Sequence, residues 1–357
     1  MSWIATSGGG QSWICPKVFG TACAPRDALM ARGSIVLETR LSPEGRPQTL
    51  LHYERRHPWN GSISVRAVPG GSIALVLTQN SEVFHTVLQP PHDARTDVLR
   101  VTFSWDTRQR FGRIAVERPE SDQVIEQSTP PPPPLLIEDI HTIARRPQLR
   151  QMDEDVVFFA VSTDIEPIGP MPTLTGQVQV LTPTGYRAVG QLQCGDTIKT
   201  REHGVVPVLH RVSRLVPALG AFRPIRLRAP YFGLHRDLIV SPQQRLVIGG
   251  SDVEYLFGRE AVLIPAQSLV NGFAAVHEDG HRFVRYHQLL LPRHEPIIAA
   301  EADLESLYIG RLRRDRDRVA SSLLADCPSG LLPEHARAGL KVLGSFEAIT
   351  LAEARAA

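Results

Sequence analysis

The four cysteines are the residues whose spacing tests most directly for metal or redox chemistry. None of them forms the Cys-x-x-Cys pair that zinc sites and dithiol redox sites use, and four thiols in 357 residues are too few for a disulfide-built scaffold. The sequence therefore favours unpaired thiols, with a Cys15–Cys23 bridge as the open alternative. It predicts no metal site and no cofactor. The other two cysteines are Cys194 and Cys327.

Charge and hydropathy exclude several classes of partner. Lys and Arg number 39 against 37 Asp and Glu, a formal net charge of +2, so nothing favours nucleic acid as a partner. The sequence has no apolar run long enough to predict a membrane span. Its first residues also lack the basic and apolar segments of a Sec signal. The compartment stays open between the cytoplasm and export by a signal-free route.

The first half of the chain has the pattern of an antiparallel β-sandwich. Short alternating stretches recur about every ten residues and are separated by turn-forming residues, with no competing helical period. This region resembles a laminin-G or concanavalin-like jelly roll, in which the strands at 99–105 and 112–117 would be neighbours. The resemblance implies a glycan or protein ligand. The predicted strands are 34–39, 62–66, 72–77, 83–88, 99–105 and 112–117.

A run of five prolines at residues 130–134 predicts a stiff polyproline II spacer that marks a boundary. After it, residues 136–144 have the composition of a short helix. Residues 155–162 have the composition of a buried strand, which could close the sandwich or lead into the next domain. A proline-recognition ligand is the alternative interpretation of the run.

Three strings in the second half carry a family resemblance. Residues 180–185 (VLTPTG) precede residues 194–200 (CGDTIKT), and residues 238–248 (LIVSPQQRLVI) follow. In this order they resemble the Hint domain of bacterial hedgehog/intein-type proteins, an all-β fold, and residues 257–266 and 286–295 continue the resemblance. The fold class is therefore mainly β: a jelly-roll-like sandwich, then an all-β Hint domain and a short helical tail.

These observations give a division of the chain into five segments. The predicted segments are an N-terminal extension at 1–30, the sandwich at 31–128, a Pro-rich linker with a possible closing strand at 129–170, the Hint domain at 171–310, and a helical tail at 311–357.

The resemblance implies a nucleophile at the first position of the Hint domain. In this family the side chain of that residue attacks the preceding carbonyl and converts an amide into a thioester or ester. A thiol suits this step because its pKa is near 8.5. Here the position falls on Thr173, which makes Pro172–Thr173 the scissile bond, or on Pro172 if the alignment shifts by one residue. Cys194 is the alternative thiol, although its position in a turn favours an unreactive residue.

The resemblance also implies a Thr/Ser-x-x-His element whose imidazole protonates the leaving nitrogen. The corresponding residues are Ser241 and Gln244, and an amide cannot deliver a proton near neutral pH. His287 and His294 are candidates for retained catalytic groups. Alternatively, His287 packs in the sheet and His294 forms a turn with Glu295.

The asparagine cyclisation that ends protein splicing is also missing, because Glu305-Ser306 stands where inteins carry His-Asn. Three replacements together predict a catalytically degenerate Hint domain rather than an enzyme. If activity remains, it is self-cleavage at Pro172–Thr173. The alternatives are a glycan- or protein-binding module built on the sandwich, and a purely structural pair of domains.

Overall fold

The computed structural model describes residues 2–19, 28–90, 98–335 and 339–356, with only the backbone at 353, 355 and 356. The chain divides into two compact units, Met1–Ile168 and Gly169–Ala357. Within the described residues, no helix combines the length and apolar character that crossing a membrane requires.

The first unit is a sandwich of two antiparallel sheets. One sheet has the order β11-β10-β9-β4-β14-β1-β2, and the other has the order β13-β5-β6-β7-β8. The strands are β1 Trp3–Gly8, β2 Gln11–Ile14, β3 Leu29–Met30, β4 Arg32–Arg40, β5 Gln48–Arg55, β6 Gly61–Ala67, β7 Ile73–Gln79, β8 Glu82–Leu88, β9 Val98–Asp106, β10 Phe111–Arg118, β11 Gln123–Thr129, β12 Leu135–Leu136, β13 Arg150–Gln151 and β14 Val156–Ser162; the helices are α1 Pro16–Phe19 and α2 Ile137–Arg145, with a 3-10 turn at Pro147–Leu149.

The core lies between these two sheets. Alternate residues of β9 point into it, and Phe103 stacks on Trp105 with ring centroids 5.7 Å apart. The Trp105 indole also donates to the carbonyl of Met30 at 3.0 Å, so its single polar atom is satisfied within the core. The predicted sandwich is confirmed, as is the adjacency of β9 and β10.

The boundaries of the sandwich differ from those the sequence suggested. β1 and β2 belong to the seven-stranded sheet, and β14 lies between β4 and β1. The segments assigned to an extension and a linker are therefore part of the sandwich unit. The physical reason is hydrogen bonding: β14 is an interior strand whose backbone groups pair on both sides.

The second unit is also mainly β. A six-stranded sheet has the order β20-β26-β15-β22-β21-β25, a seven-stranded sheet has the order β17-β16-β27-β28-β23-β24-β29, and β18 pairs with β19. The strands are β15 Leu174–Thr175, β16 Gln179–Thr182, β17 Gly185–Ala188, β18 Thr197–Thr200, β19 Gly204–Pro207, β20 His210–Pro217, β21 Ile225–Leu227, β22 Leu238–Val240, β23 Arg245–Gly249, β24 Ala261–Pro265, β25 Ala275–His277, β26 Phe283–Leu290, β27 Ile297–Ala299, β28 Ala302–Leu304 and β29 Lys341–Val342.

Short helices complete the second unit, and one of its tight turns uses a glycine where the backbone conformation favours it. The β16–β17 turn ends at Gly185, whose φ of 115° is a conformation that favours glycine. The helices are α3 Ser251–Phe257, α4 Arg316–Ser321 and α5 Ser345–Ala356; the 3-10 turns are Val189–Gln191, Gly220–Phe222, Tyr231–Gly233, Ala266–Leu269, Leu312–Arg314 and Ser329–Leu331.

The C-terminal tail packs on this unit. β29 adds to β24 as a parallel edge strand, and Leu343 and Leu351 join the main apolar core. Each buried leucine contributes about 1.5–3 kcal/mol. The tail predicted as helical at 311–357 is therefore helical only in part, since residues 341–342 are the strand β29; positions 336–338 lie outside the described residues.

Candidate functional site

Thr173 lies at the start of the short strand β15, between two longer strands. Its carbonyl accepts a hydrogen bond from the Ser241 backbone N–H at 2.7 Å, and the next residue, Leu174, pairs with Val240 on one side and His287 on the other. The strand order therefore brings the predicted first position, the Ser241–Gln244 turn and β26 together. Thr173 itself is 7 % exposed.

The Thr173 hydroxyl contacts two glutamine amides. Its Oγ1 donates to Gln244 Oε1 at 2.5 Å and accepts from Gln288 Nε2 at 2.9 Å. Gln288 Nε2 also lies 3.2 Å from Gln244 Oε1, and both glutamines are buried. Because a hydroxyl has one proton to donate, its donor capacity is fully used by an amide oxygen.

The Glu305 backbone carbonyl closes this amide network from the other side. It accepts from Gln288 Nε2 at 3.0 Å and from Gln244 Nε2 at 3.3 Å, and Gln244 Nε2 also donates to the carbonyl of Arg245 at 2.7 Å. The Glu305 carboxylate faces away, 3.2 Å from Arg245 Nη1. Glu305, which the sequence aligns with the terminal histidine of inteins, therefore reaches the network through its backbone.

Ser241 is buried but lies outside the hydroxyl network. Its Oγ donates to Gln243 Oε1 at 2.8 Å and accepts from the Gln243 backbone N–H at 3.4 Å. This is a local turn interaction of the kind serine commonly makes. Ser241 thus positions the chain before Gln244, and its hydroxyl makes no hydrogen bond to Thr173.

His287 contacts Arg211 on the neighbouring strand. Arg211 Nη1 donates to His287 Nδ1 at 2.7 Å, which leaves the ring proton on Nε2. Burial lowers the pKa of His287 to about 4, with further lowering by the positive charges of Arg211 and Arg285. Successive residues of a strand point to opposite faces, so His287 lies on the face of β26 opposite to Gln288.

The close approach of β15 to His287 depends on a glycine. A side chain at Gly176 would place its Cβ 3.1 Å from His287 Nε2. His287 is therefore held in the sheet by packing and by one arginine.

His294 lies beside Glu305 rather than beside Glu295. Its Nε2 is 3.1 Å from Glu305 Oε1, although the angles do not satisfy a hydrogen bond, and its ring packs against Tyr308 with centroids 4.7 Å apart. The expected turn between His294 and Glu295 is wrong, because Glu295 instead accepts from Thr200 Oγ1 at 2.6 Å.

The thiols are placed away from this network. Cys15 and Cys327 are buried and Cys194 is exposed, all three as free thiols; Cys23, and with it the alternative of a Cys15–Cys23 bridge, lies outside the described residues. Cys194 Sγ donates to the carbonyl of Leu209 at 2.9 Å. It makes no contact with Thr173 among the described residues, so it does not replace the missing thiol there.

Sequence reasoning placed Thr173 and Gln244 together and missed Gln288. The family resemblance points to His287, the residue next to Gln288. Only the orientation of β26 decides which of these two adjacent side chains reaches the Thr173 hydroxyl. The alternation of β26 was the available signal, because buried and exposed positions alternate along its first residues. The role of the Glu305 carbonyl had no signal in the sequence.

The comparisons with known proteins agree with this architecture. Residues 172–311 match the family model described as a Hint domain. The chain therefore carries a Hint domain, and this domain accounts for most of the second unit. A comparison with curated proteins found no match.

Solved structures resemble parts of the chain at low identity. An intein-like domain from Clostridium thermocellum is 12 % identical over 38 % of this chain and 99 % of that one, with a TM-score of 0.29. The CBM40 of the Ruminococcus gnavus IT-sialidase is 12 % identical over 37 % of this chain and 64 % of that one, with a TM-score of 0.25. The LG1-3 region of the laminin alpha2 chain is 9 % identical over 87 % and 56 %, with a TM-score of 0.27. Similarities at this level assign no ligand and no activity.

Proposed function

We propose that the Hint domain of this chain has kept the autoprocessing fold and lost the autoprocessing reaction. The observation that carries the proposal is the pair of amides around the Thr173 hydroxyl. A hydroxyl becomes a nucleophile when an adjacent base removes its proton. The amide oxygen of Gln244, which receives the Thr173 hydrogen bond, is not a base near neutral pH.

The leaving nitrogen would also lack a proton donor. Gln244 stands at the position that the sequence aligns with the family histidine, and burial lowers the pKa of His287 to about 4, so its imidazole is neutral at pH 7. General acid–base help contributes roughly 100- to 10,000-fold to such reactions. The loss of this acid–base help, together with the loss of the thiol, supports the proposal that the domain serves as a scaffold.

The full chain is expected to stay intact after purification. Intact-mass spectrometry should give one species near 39.4 kDa, both without additives and after long incubation with a thiol or with hydroxylamine. Hydroxylamine cleaves an ester as well as a thioester, whereas a thiol exchanges efficiently only with a thioester, so hydroxylamine is the reagent that reveals even a small population of the Thr173 ester. Fragments that end at Pro172 and begin at Thr173 would show that Thr173 is active and would overturn the proposal.

We further propose that the sandwich carries a glycan-binding surface. Beside β6 and β7, the Ser62 and Thr78 hydroxyls lie next to the buried Arg55–Asp139 ion pair, whose charged atoms are 2.8 Å apart. The space between these side chains holds little more than a water molecule, so a glycan would lie on the surface above them. Trp59 lies beside this ion pair, with the Arg55 guanidinium 5.1 Å from its ring centre. An aromatic face next to hydrogen-bonding side chains is the arrangement that favours a glycan.

A glycan array probed with the full chain tests this second proposal. The whole sandwich is needed, because a fragment that ends at residue 150 would lose the interior strand β14. Binding to a defined group of glycans should be lost in a Trp59→Ala variant and kept in a Tyr255→Ala variant, which removes an exposed aromatic ring from the other unit. No binding, or equal binding by both variants, would contradict it.

A further inference from the structure

A histidine and two glutamates meet at the tip of the β18–β19 hairpin, away from the Thr173 network. Glu202 and His203 occupy the turn of the hairpin, and Glu295 follows β26. The candidate ligand atoms of these three residues all lie within 4.8 Å of one another. We propose that Glu202, His203 and Glu295 form a binding site for a zinc-type divalent cation.

The spacing of the ligand atoms fits a zinc ion. His203 Nδ1 lies 3.1 Å from Glu295 Oε2. Two ligands of tetrahedral zinc, each at its ordinary bond length, are about 3.3 Å apart. Imidazole and carboxylate ligands together select zinc and similar transition metals, whereas calcium prefers oxygen ligands alone. The two carboxylates also balance the charge of a dication.

The buried member of the site is already oriented. Glu295 is 2 % exposed, and its Oε2 accepts from Thr200 Oγ1 at 2.6 Å as well as contacting His203. Hydrogen bonds to a ligating carboxylate fix its orientation and support metal affinity. A carboxylate oxygen has more than one lone pair, so Oε2 can keep the hydrogen bond from Thr200 while it binds a cation placed between it and His203 Nδ1.

The other two members are accessible to solvent. Glu202 is exposed and makes no hydrogen bond or ion pair among the described residues. It lines an open cleft together with Arg201, Pro296 and Asp303. Arg201 is occupied by Asp303, 2.6 Å away, so it does not neutralise Glu202. A cation can therefore enter, and Glu202 can close on it by a change of rotamer.

Arg293 determines which ring nitrogen of His203 is available to bind a metal. Its guanidinium donates to His203 Nε2, which places the ring proton on Nδ1 facing Glu295. A metal on Nδ1 requires this proton to move to Nε2. The N–H of Nε2 and the Arg293 guanidinium, both hydrogen-bond donors, would then face each other. Because Arg293 is exposed, it can turn away, but its presence opposes the metal. The metal-free arrangement is a His203–Glu295 pair in the same place.

The test is titration of the full chain with Zn²⁺, followed by calorimetry and by the midpoint of thermal unfolding. We expect one Zn²⁺ per chain and a higher midpoint with the metal, because binding to the folded state stabilises it. His203→Asn and Glu202→Gln should each weaken binding by at least about 10-fold, since even residues that only support a ligand contribute this much. Arg293→Ala should strengthen binding.

Two controls keep the outcome decisive. His281→Asn removes another exposed histidine of the same unit and should leave Zn²⁺ affinity unchanged. Glu202→Gln changes an exposed side chain without partners, so it folds even if His203→Asn does not. Absence of Zn²⁺ binding by the folded wild type, or equal affinities in the wild type and the Glu202→Gln variant, would overturn the proposal.

Discussion

A Thr173→Cys, Gln244→His double variant is expected to cleave its own backbone before residue 173, while the wild type stays intact. The thiol supplies a nucleophile with a pKa near 8.5, and the imidazole supplies an acid near pH 6.5. The imidazole alone should raise the rate by about 100- to 10,000-fold. Mass spectrometry after incubation with a small thiol should detect the two fragments, since the thiol exchanges with the thioester.

Two further variants, each lacking one of the two new groups, are the controls for this experiment. Thr173→Cys retains the amide network without a proton donor, and Thr173→Ala with Gln244→His retains the imidazole without a nucleophile. Both should stay intact. If the double variant folds and shows neither cleavage nor a thioester, the geometry around residue 173 is no longer competent, and the proposed loss extends beyond these two side chains.

This experiment depends on the strand order holding residue 173 in place. The backbone bond from Ser241 to Thr173, at 2.7 Å, and the pairing of Leu174 with His287 involve no side-chain atoms of residues 173 or 244. Substituting those two side chains therefore leaves the positions of their backbones supported. Gln288 stays available to donate to the sulfur of a cysteine at 173.

Much of the fold could be predicted because it is encoded locally. The strand at 62–66 alternates apolar and polar residues, those at 72–77 and 112–117 contain short apolar runs, and the structure places β6, β7 and β10 there. The interior position of β14 could not be predicted in the same way. It pairs with β1, so that Trp3 faces Ser162, and nothing in either segment states its partner.

The residues of the candidate site differ in the same way in how far the sequence could predict them. Thr173 and Gln244 could be placed because family strings fix their neighbours along the chain. The carbonyl of Glu305 could not, since every residue has a backbone carbonyl and only the tertiary fold selects one. The cluster at Glu202, His203 and Glu295 was missed for a related reason, because His203 and Glu295 are 92 residues apart.

The network also explains why the proposed loss of the reaction need not lower the stability of the domain. Buried polar groups without partners are costly, whereas the Thr173 hydroxyl and the Gln244 and Gln288 amides are mutually satisfied. Amide side chains in place of a histidine avoid the free-energy cost of burying a charged imidazolium. A scaffold function is compatible with this exchange.

His287 is expected to make the Hint domain less stable in mild acid. Its pKa is about 4 in the folded chain, because of burial and the charges of Arg211 and Arg285, and 6.5 in the unfolded chain. Between these values the unfolded chain binds more protons, so stability falls as the pH is lowered through this window. From pH 7.5 to pH 5 the loss from this residue is about 2 kcal/mol.

A His287→Gln variant isolates this contribution. The glutamine oxygen can still accept from Arg211, yet the residue no longer titrates, so the variant should lose about 2 kcal/mol less than the wild type over the same pH interval. Urea unfolding at both pH values measures the difference, in which the other titrating groups cancel. An NMR titration should also place the His287 pKa well below 6.5. A value near 6.5, or equal pH dependence in both proteins, would mean that His287 is accessible to solvent and could still act as an acid.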